Sequence, residues 1–225
     1  MSVESHGHEH EFEPAYGLPE PLPADEKILW QGSPDFGTVA RRIFHVRKVA
    51  LYFAIALAWR AGDVLADGGT WFDALKSLPV HALLATMAMV AVVGLAWATA
   101  RTAVYTLTDK RIVMRIGIVL TLTFNLPLRL VQSAALKAQD HGCGDIVITL
   151  GGDDHIAWLQ LWPHVRPWKL ARSQPMLRAV PDAAKVSALL AQAWAASTGA
   201  AVNTEPTQAQ VTPADGHRRW QTSPT

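Results

Sequence analysis

Cysteine is almost missing from this chain: Cys143 stands alone among 225 residues. One thiol excludes an intramolecular disulfide and leaves no thiolate set for a structural zinc. Charge is scarce as well, at 17% of residues against 50% hydrophobic ones, and the formal net charge is +1. Mean hydropathy is +0.13, high for a soluble protein. These totals favour a membrane protein with a modest folded part outside the bilayer. They argue against a nucleic-acid partner, because no broad basic excess is present. Reaction motifs are missing too: there is no G-x-S-x-G, no phosphate-binding glycine loop and no H-E-x-x-H, and the acid pair Asp153-Asp154 reads as a turn, where Asp is simply a good turn former. The expectation is a protein that is not an enzyme and carries no cofactor. The N-terminus, MSVESHGHEHEFEP, lacks a basic stretch leading into an apolar one, so no cleavable signal is expected. No internal repeat is evident.

What is abundant is hydrocarbon, in two runs. Residues 46–66 hold a stretch that is apolar throughout from Val49 to Trp59 and is then interrupted by Arg60 and Asp63, whose i,i+3 spacing allows them to pair. Its length, about 30 Å as a helix, just spans a bilayer. Residues 78–100, LPVHALLATMAMVAVVGLAWATA, carry no charge and form the clearer span. Trp71 and Trp97 fall where interfacial aromatics belong. No acid occurs between Asp35 and Asp63, whereas Arg41, Arg42, Arg47 and Lys48 precede the first span and Arg101 follows the second. The loop between the spans leans acidic, with Asp63, Asp67 and Asp73 against Lys76. Basic flanks at both ends predict an even number of spans with both termini on the cytoplasmic side.

The rest divides by texture. Residues 1–25, rich in Pro, Glu and His, are predicted as a disordered arm, and residues 26–45 as a strand (Ile28–Gln31) plus a basic juxtamembrane segment. Residues 101–196 read as the folded module. Tyr105–Thr108, Arg111–Ile116, Val119–Leu126 and Leu130–Lys137 are predicted strands, and Gly117 offers the positive φ that a tight connection needs. DHGCGD, residues 140–145, reads as a turn. Ile146–Leu150 and Ile156–Leu161 flank Gly-Gly-Asp-Asp like the arms of a hairpin. Val186, Leu189, Leu190, Ala193 and Trp194 then recur at helical spacing, with Asp182 placed to cap the first turn. The predicted fold is α+β: a two-helix transmembrane hairpin plus a small β-barrel or curved antiparallel sheet closed by a C-terminal helix. Residues 197–225 read as a disordered tail.

YTLTDKRIVMRIG, followed by NLPL and a G-x-G-D turn, resembles the bacterial pleckstrin-homology-like domain that is attached to membrane hairpins. GLPEPLPADEKILWQGSPD, ARRIFHVRKVALYF and LWPHVRPWKLARSQPMLRAVPD, in that order, resemble the PuhB-type photosynthetic-complex assembly proteins of purple bacteria. The resemblance covers roughly residues 11–196. It implies a non-catalytic accessory protein of the bacterial inner, intracytoplasmic membrane. Such a protein helps the reaction centre assemble with its core light-harvesting antenna. Its partners would be reaction-centre or antenna subunits and the lipid bilayer, and self-association is compatible with it.

The candidate binding residues lie in LWPHVRPWKLARSQPMLR, residues 161–178, where Trp162, His164, Arg166, Trp168, Lys169 and Arg172 cluster and no acid occurs from Asp154 to Asp182. Trp and Arg combine buried area with planar donors, as binding hot spots require. Three readings stay open at this stage. The tryptophans cap the domain and the cations are merely solvated; or the loop grips a protein; or Arg166, Lys169 and Arg172 meet anionic lipid. A third functional class, a pigment carrier, would use His81 as a magnesium ligand, against the simpler reading of a histidine hydrogen-bonded near its helix start. HGHEH, residues 6–10, has ligand-type side chains without fixed neighbours, so no functional metal site is expected.

Overall fold

The structure, a computed structural model, describes residues 17–18, 20–118, 120–139, 142–152, 156–170 and 172–199. The histidines at 6–10, Asp153 and Asp154 lie outside the described residues. Strands β1 (Ile28–Gly32), β2 (Val104–Thr108), β3 (Arg111–Ile116) and β4 (Leu122–Pro127) form one antiparallel sheet in that order. Strands β5 (Val131–Ala138), β6 (Gly144–Leu150) and β7 (Met176–Val180) form a second. Among the described residues the sheets stay separate, so the barrel expectation is corrected to two open sheets. β4 stops at Pro127, and a 3-10 turn, Leu128–Leu130, interrupts strand pairing before β5 begins. Helix α5 (Ala183–Thr198) packs over that turn and over β5 and β6. There the indole N–H of Trp194 donates to the Val131 carbonyl at 2.9 Å.

Side-chain alternation builds the core. Ile112, Met114 and Ile116 of β3, Tyr105 and Leu107 of β2, and Ile146 and Ile148 of β6 point inward at period two. Val186, Leu190 and Ala193 of α5 complete the cluster. Asp182 occupies the predicted N-cap position, but its side chain makes no capping hydrogen bond and its φ is +49°. Gly117, at φ +126°, takes the turn between β3 and β4, where a Cβ would lie 2.0 Å from the Leu120 carbonyl oxygen.

Three boundaries differ from the expectation. The β module does not begin at residue 101: β1, eighty residues upstream in sequence, pairs with β2 from Ile28↔Thr108 to Gly32↔Tyr105. Residues 17–18 and 20–25 belong to the fold rather than to a disordered arm. Leu18 is buried, Asp25 pairs with Lys110, and the adjoining buried Glu26 accepts hydrogen bonds from Thr108 and Arg111. Ile156–Leu161 is no strand either. A helical turn, α4 (Trp158–Leu161), replaces it, burying Leu161 while Leu159 points out, and the pairing partners of β6 are β5 and β7.

Between β1 and β2 the chain makes a single helical turn, α1 (Phe36–Thr38), a π-helical turn (Val39–Ile43), and then two long antiparallel helices. Helix α2 (Val46–Ala66) has 21 residues and α3 (Trp71–Thr102) has 32, so they extend about 32 and 48 Å at 1.5 Å per residue. Both are long and apolar enough to cross a membrane. α3 starts seven residues before the predicted span because Thr70 and Asp73 form a reciprocal capping box. Gly68, at φ +86°, and Gly69, where a Cβ would meet the Val64 carbonyl oxygen at 2.7 Å, close the turn between the helices. Arg60 and Asp63 form their ion pair at 3.0 Å. His81 places Nδ1 3.0 Å from the Ser77 carbonyl of its own helix, which fits the simpler of its two readings.

Candidate functional site

The loop after α4 stands on a buried polar floor. His164 is 1% exposed, which removes it from the surface cluster in which the sequence had placed it. Its Nδ1 lies 2.5 Å from the Tyr105 hydroxyl. That hydroxyl also accepts the backbone N–H of Arg178 at 3.2 Å, so its single proton is directed to the imidazole. Burial, with the positive charge of Arg178 adding to it, holds His164 down to about 3. Burial likewise pushes the Tyr105 phenol up. Arg178 donates Nη1 to the Pro163 carbonyl at 3.1 Å, and burial lowers it, partly offset by Asp145. Buried Asp145 accepts the N–H of Ala179 at 2.9 Å, where β7 bulges at φ +50°. Loop, β2, β6 and β7 are thereby joined through one network, within which Arg178 Nε is buried without a hydrogen-bond partner among the described residues.

Above this floor the loop leaves the domain. Val165 bridges Pro175, and Arg166 donates Nη1 to the Gln174 side chain at 3.0 Å, which closes the neck. Beyond the neck Trp168 is 94% exposed at φ +64°, and Lys169, Leu170 and Arg172 are exposed beside it. The loop tip therefore presents a bare indole and a leucine among cations. Trp162, at the loop's base, is half exposed, and its ring meets Phe44 edge-on at 6.4 Å. Such a pair contributes about 0.5–1.5 kcal/mol beyond area burial. It ties the loop to the root of the helical hairpin.

The root itself is clamped to the β domain. Val39, Ala40, Ala96, Ala100 and Ala179 form a second buried cluster, and the N–H of Asp35 donates to the Ala179 carbonyl at 2.8 Å. On the far side of this clamp Arg41, Arg42, Arg47 and Lys48 line one cleft. Arg101 lies apart from the cleft lining, in the last turn of α3, where a cation favours the helix dipole. The structure thus places Trp162 beside the root, gathers Trp168, Lys169 and Arg172 at the loop tip, and assigns His164 to the floor.

Sequence reasoning missed Tyr105 and Asp145, and counted Arg178 only among the cations of the loop. Tyr105 shares the inward parity of Leu107 in a readable strand, and that was the available signal. Asp145 was hidden inside a turn cluster, and the inward role of Arg178 behind Pro175 in a stretch read as irregular.

The sequence matches a family model described as a bacterial PH domain over residues 48–194, which takes in both long helices and the sheets that follow. The chain is 37% identical over 191 residues to an uncharacterized 23.7 kDa protein in the puhA 5' region of Rhodobacter capsulatus. That alignment covers 83% of this chain and 87% of the relative. No solved structure matches it. A β domain of two antiparallel sheets closed by a C-terminal helix, matched by sequence over most of its length, places this chain in the bacterial PH domain family.

Proposed function

We propose that this protein is a membrane-anchored, non-catalytic assembly factor for the photosynthetic reaction centre and its core light-harvesting antenna. The α2–α3 hairpin anchors it, and the Trp168 loop tip grips a nascent membrane subunit. The observation that carries the binding role is the exposed indole at 94%, held out on a neck whose base is fastened to the hairpin root. An exposed aromatic with cations beside it is ready to be desolvated by a partner. Support for the photosynthetic assignment comes from the relative in the puhA 5' region and from the residue blocks that resemble assembly proteins of purple bacteria.

Membrane insertion has its own support. Trp71 and Trp97 are exposed on α3 and about 39 Å apart along its axis, close to the separation of the two interfaces of a bilayer. Since β1 and β2 are hydrogen-bonded neighbours, a hairpin that crosses the bilayer must leave and return on one side. The basic residues around that end favour the cytoplasm.

Crosslinking in photosynthetically growing cells tests the proposal. A reaction-centre or antenna subunit captured through the 162–172 loop is the expected result. Normal core-complex levels in a strain lacking the protein would overturn it. An anionic-lipid role for Lys169 and Arg172 is the second reading, favoured by their exposure beside Trp168. It requires the loop to bind anionic vesicles without any protein subunit.

A further inference from the structure

The π-helical turn and the first turn of α2 fold back on the end of β5 and enclose a cleft of about 440 Å³. It is lined by Thr38, Arg41, Arg42, His45, Arg47, Lys48 and Gln139. Among the described residues the lining holds four permanent cations and a histidine and no carboxylate. No acid occurs in the sequence between Asp35 and Asp63. His45, at φ +52°, turns the chain so that residues on either side of it face one space, and it places no side-chain cap on α2. Arg47 and Lys48 then sit in the first turn of a 21-residue helix, where the helix dipole repels cations and draws anions. The Gln139 carboxamide oxygen is buried there without a partner among the described residues. Turned about its last bond, the same carboxamide would offer its N–H₂ to an anion.

We propose that this cleft is a binding site for the phosphate group of an anionic phospholipid. It is distinct from the loop cations Arg166, Lys169 and Arg172. Charge and concavity call for phosphate, and position selects the lipid as its source. Directly beyond Lys48, α2 exposes Leu51, Tyr52 and Ile55, an apolar wall along which acyl chains can lie while the headgroup sits in the cleft. Basic pockets at the ends of membrane helices recognise headgroups in this way. The assignment rests on the membrane reading for the origin of the phosphate only.

The test uses the full-length protein in zwitterionic detergent, titrated with short-chain phosphatidylglycerol, short-chain phosphatidylcholine and inorganic phosphate. Saturable binding of phosphatidylglycerol alone is expected. Arg47→Gln with Lys48→Gln should weaken it about twenty-five-fold, at roughly a factor of five for each basic residue. Exchanging the two cations as Arg47→Lys with Lys48→Arg should retain binding and show that the fold tolerates changes there. Lys27→Gln with Lys185→Gln, which removes equal charge elsewhere, should leave binding unchanged. Equal binding of phosphatidylcholine, displacement by inorganic phosphate at matched concentration, or equal loss in the Lys27/Lys185 pair overturns the proposal. Binding by purified protein is read independently of core-complex accumulation, so failure here and failure of the assembly role are separable.

Discussion

The Tyr105 hydroxyl and His164 Nδ1, 2.5 Å apart, join strand β2 to the base of the exposed loop through a fully buried hydrogen bond. The loop's position thereby depends on the interior of the domain. Trp168 can stand out in solvent because His164, four residues before it, is fixed inside.

Tyr105→Phe removes that bond and leaves two buried groups unanswered, the His164 ring nitrogen and the Arg178 N–H. The expected loss of stability is about 1–3 kcal/mol, because the polar atoms remain while their partner goes. Denaturant titration in detergent micelles measures it. An unchanged midpoint would mean the network is replaced by water.

Stability should rise with pH between about 3 and 6.5 through His164. Its folded-state value is depressed to about 3 from 6.5. Over that interval the unfolded chain binds a proton that the folded chain refuses, so acid favours unfolding. From this one group the folding equilibrium shifts by up to about tenfold per pH unit. His164→Asn should flatten the profile between about pH 4 and 6 relative to the unsubstituted protein. Parallel profiles would show that His164 carries no such linkage.

Trp168→Ala should change stability by less than about 0.5 kcal/mol, because the ring touches little of the fold. Combined with Trp162→Ala, which also removes the contact with Phe44, it should lower core-complex accumulation while the protein stays in the membrane. Near-infrared absorbance of the antenna is the measurement. Unchanged absorbance would confine the two tryptophans to a structural part.

Reporter fusions placed after Thr70 and after Gly199 should read opposite sides of the membrane, the first periplasmic and the second cytoplasmic. Two fusions on the same side would contradict a spanning hairpin.

Local patterns were legible where one face of an element is buried. The alternation of Ile112, Met114 and Ile116 and the helical recurrence of Val186, Leu190 and Ala193 carry their own period. β7 was not legible: flanked by Pro175 and interrupted by Arg178, it is buried on both faces and lacks alternation. Nor was the membership of β1 in the sheet, because its partners lie beyond the two long helices and no local pattern encodes so distant a register. The candidate site was half legible. Composition picks out Trp168, Lys169 and Arg172, but a histidine between tryptophans looks the same in sequence whether it faces water or the core.

The insertion of residues 33–103 between β1 and β2 has a consequence for biosynthesis. β1 leaves the ribosome first and finds no neighbour until the entire hairpin has followed it. With the hairpin in a bilayer, a chain that has threaded only one helix holds β1 and β2 on opposite sides, and no thermal motion can bring them together. Closure of the first sheet thus doubles as a proofreading step: the domain acquires its edge strand only in molecules whose helices have both been inserted.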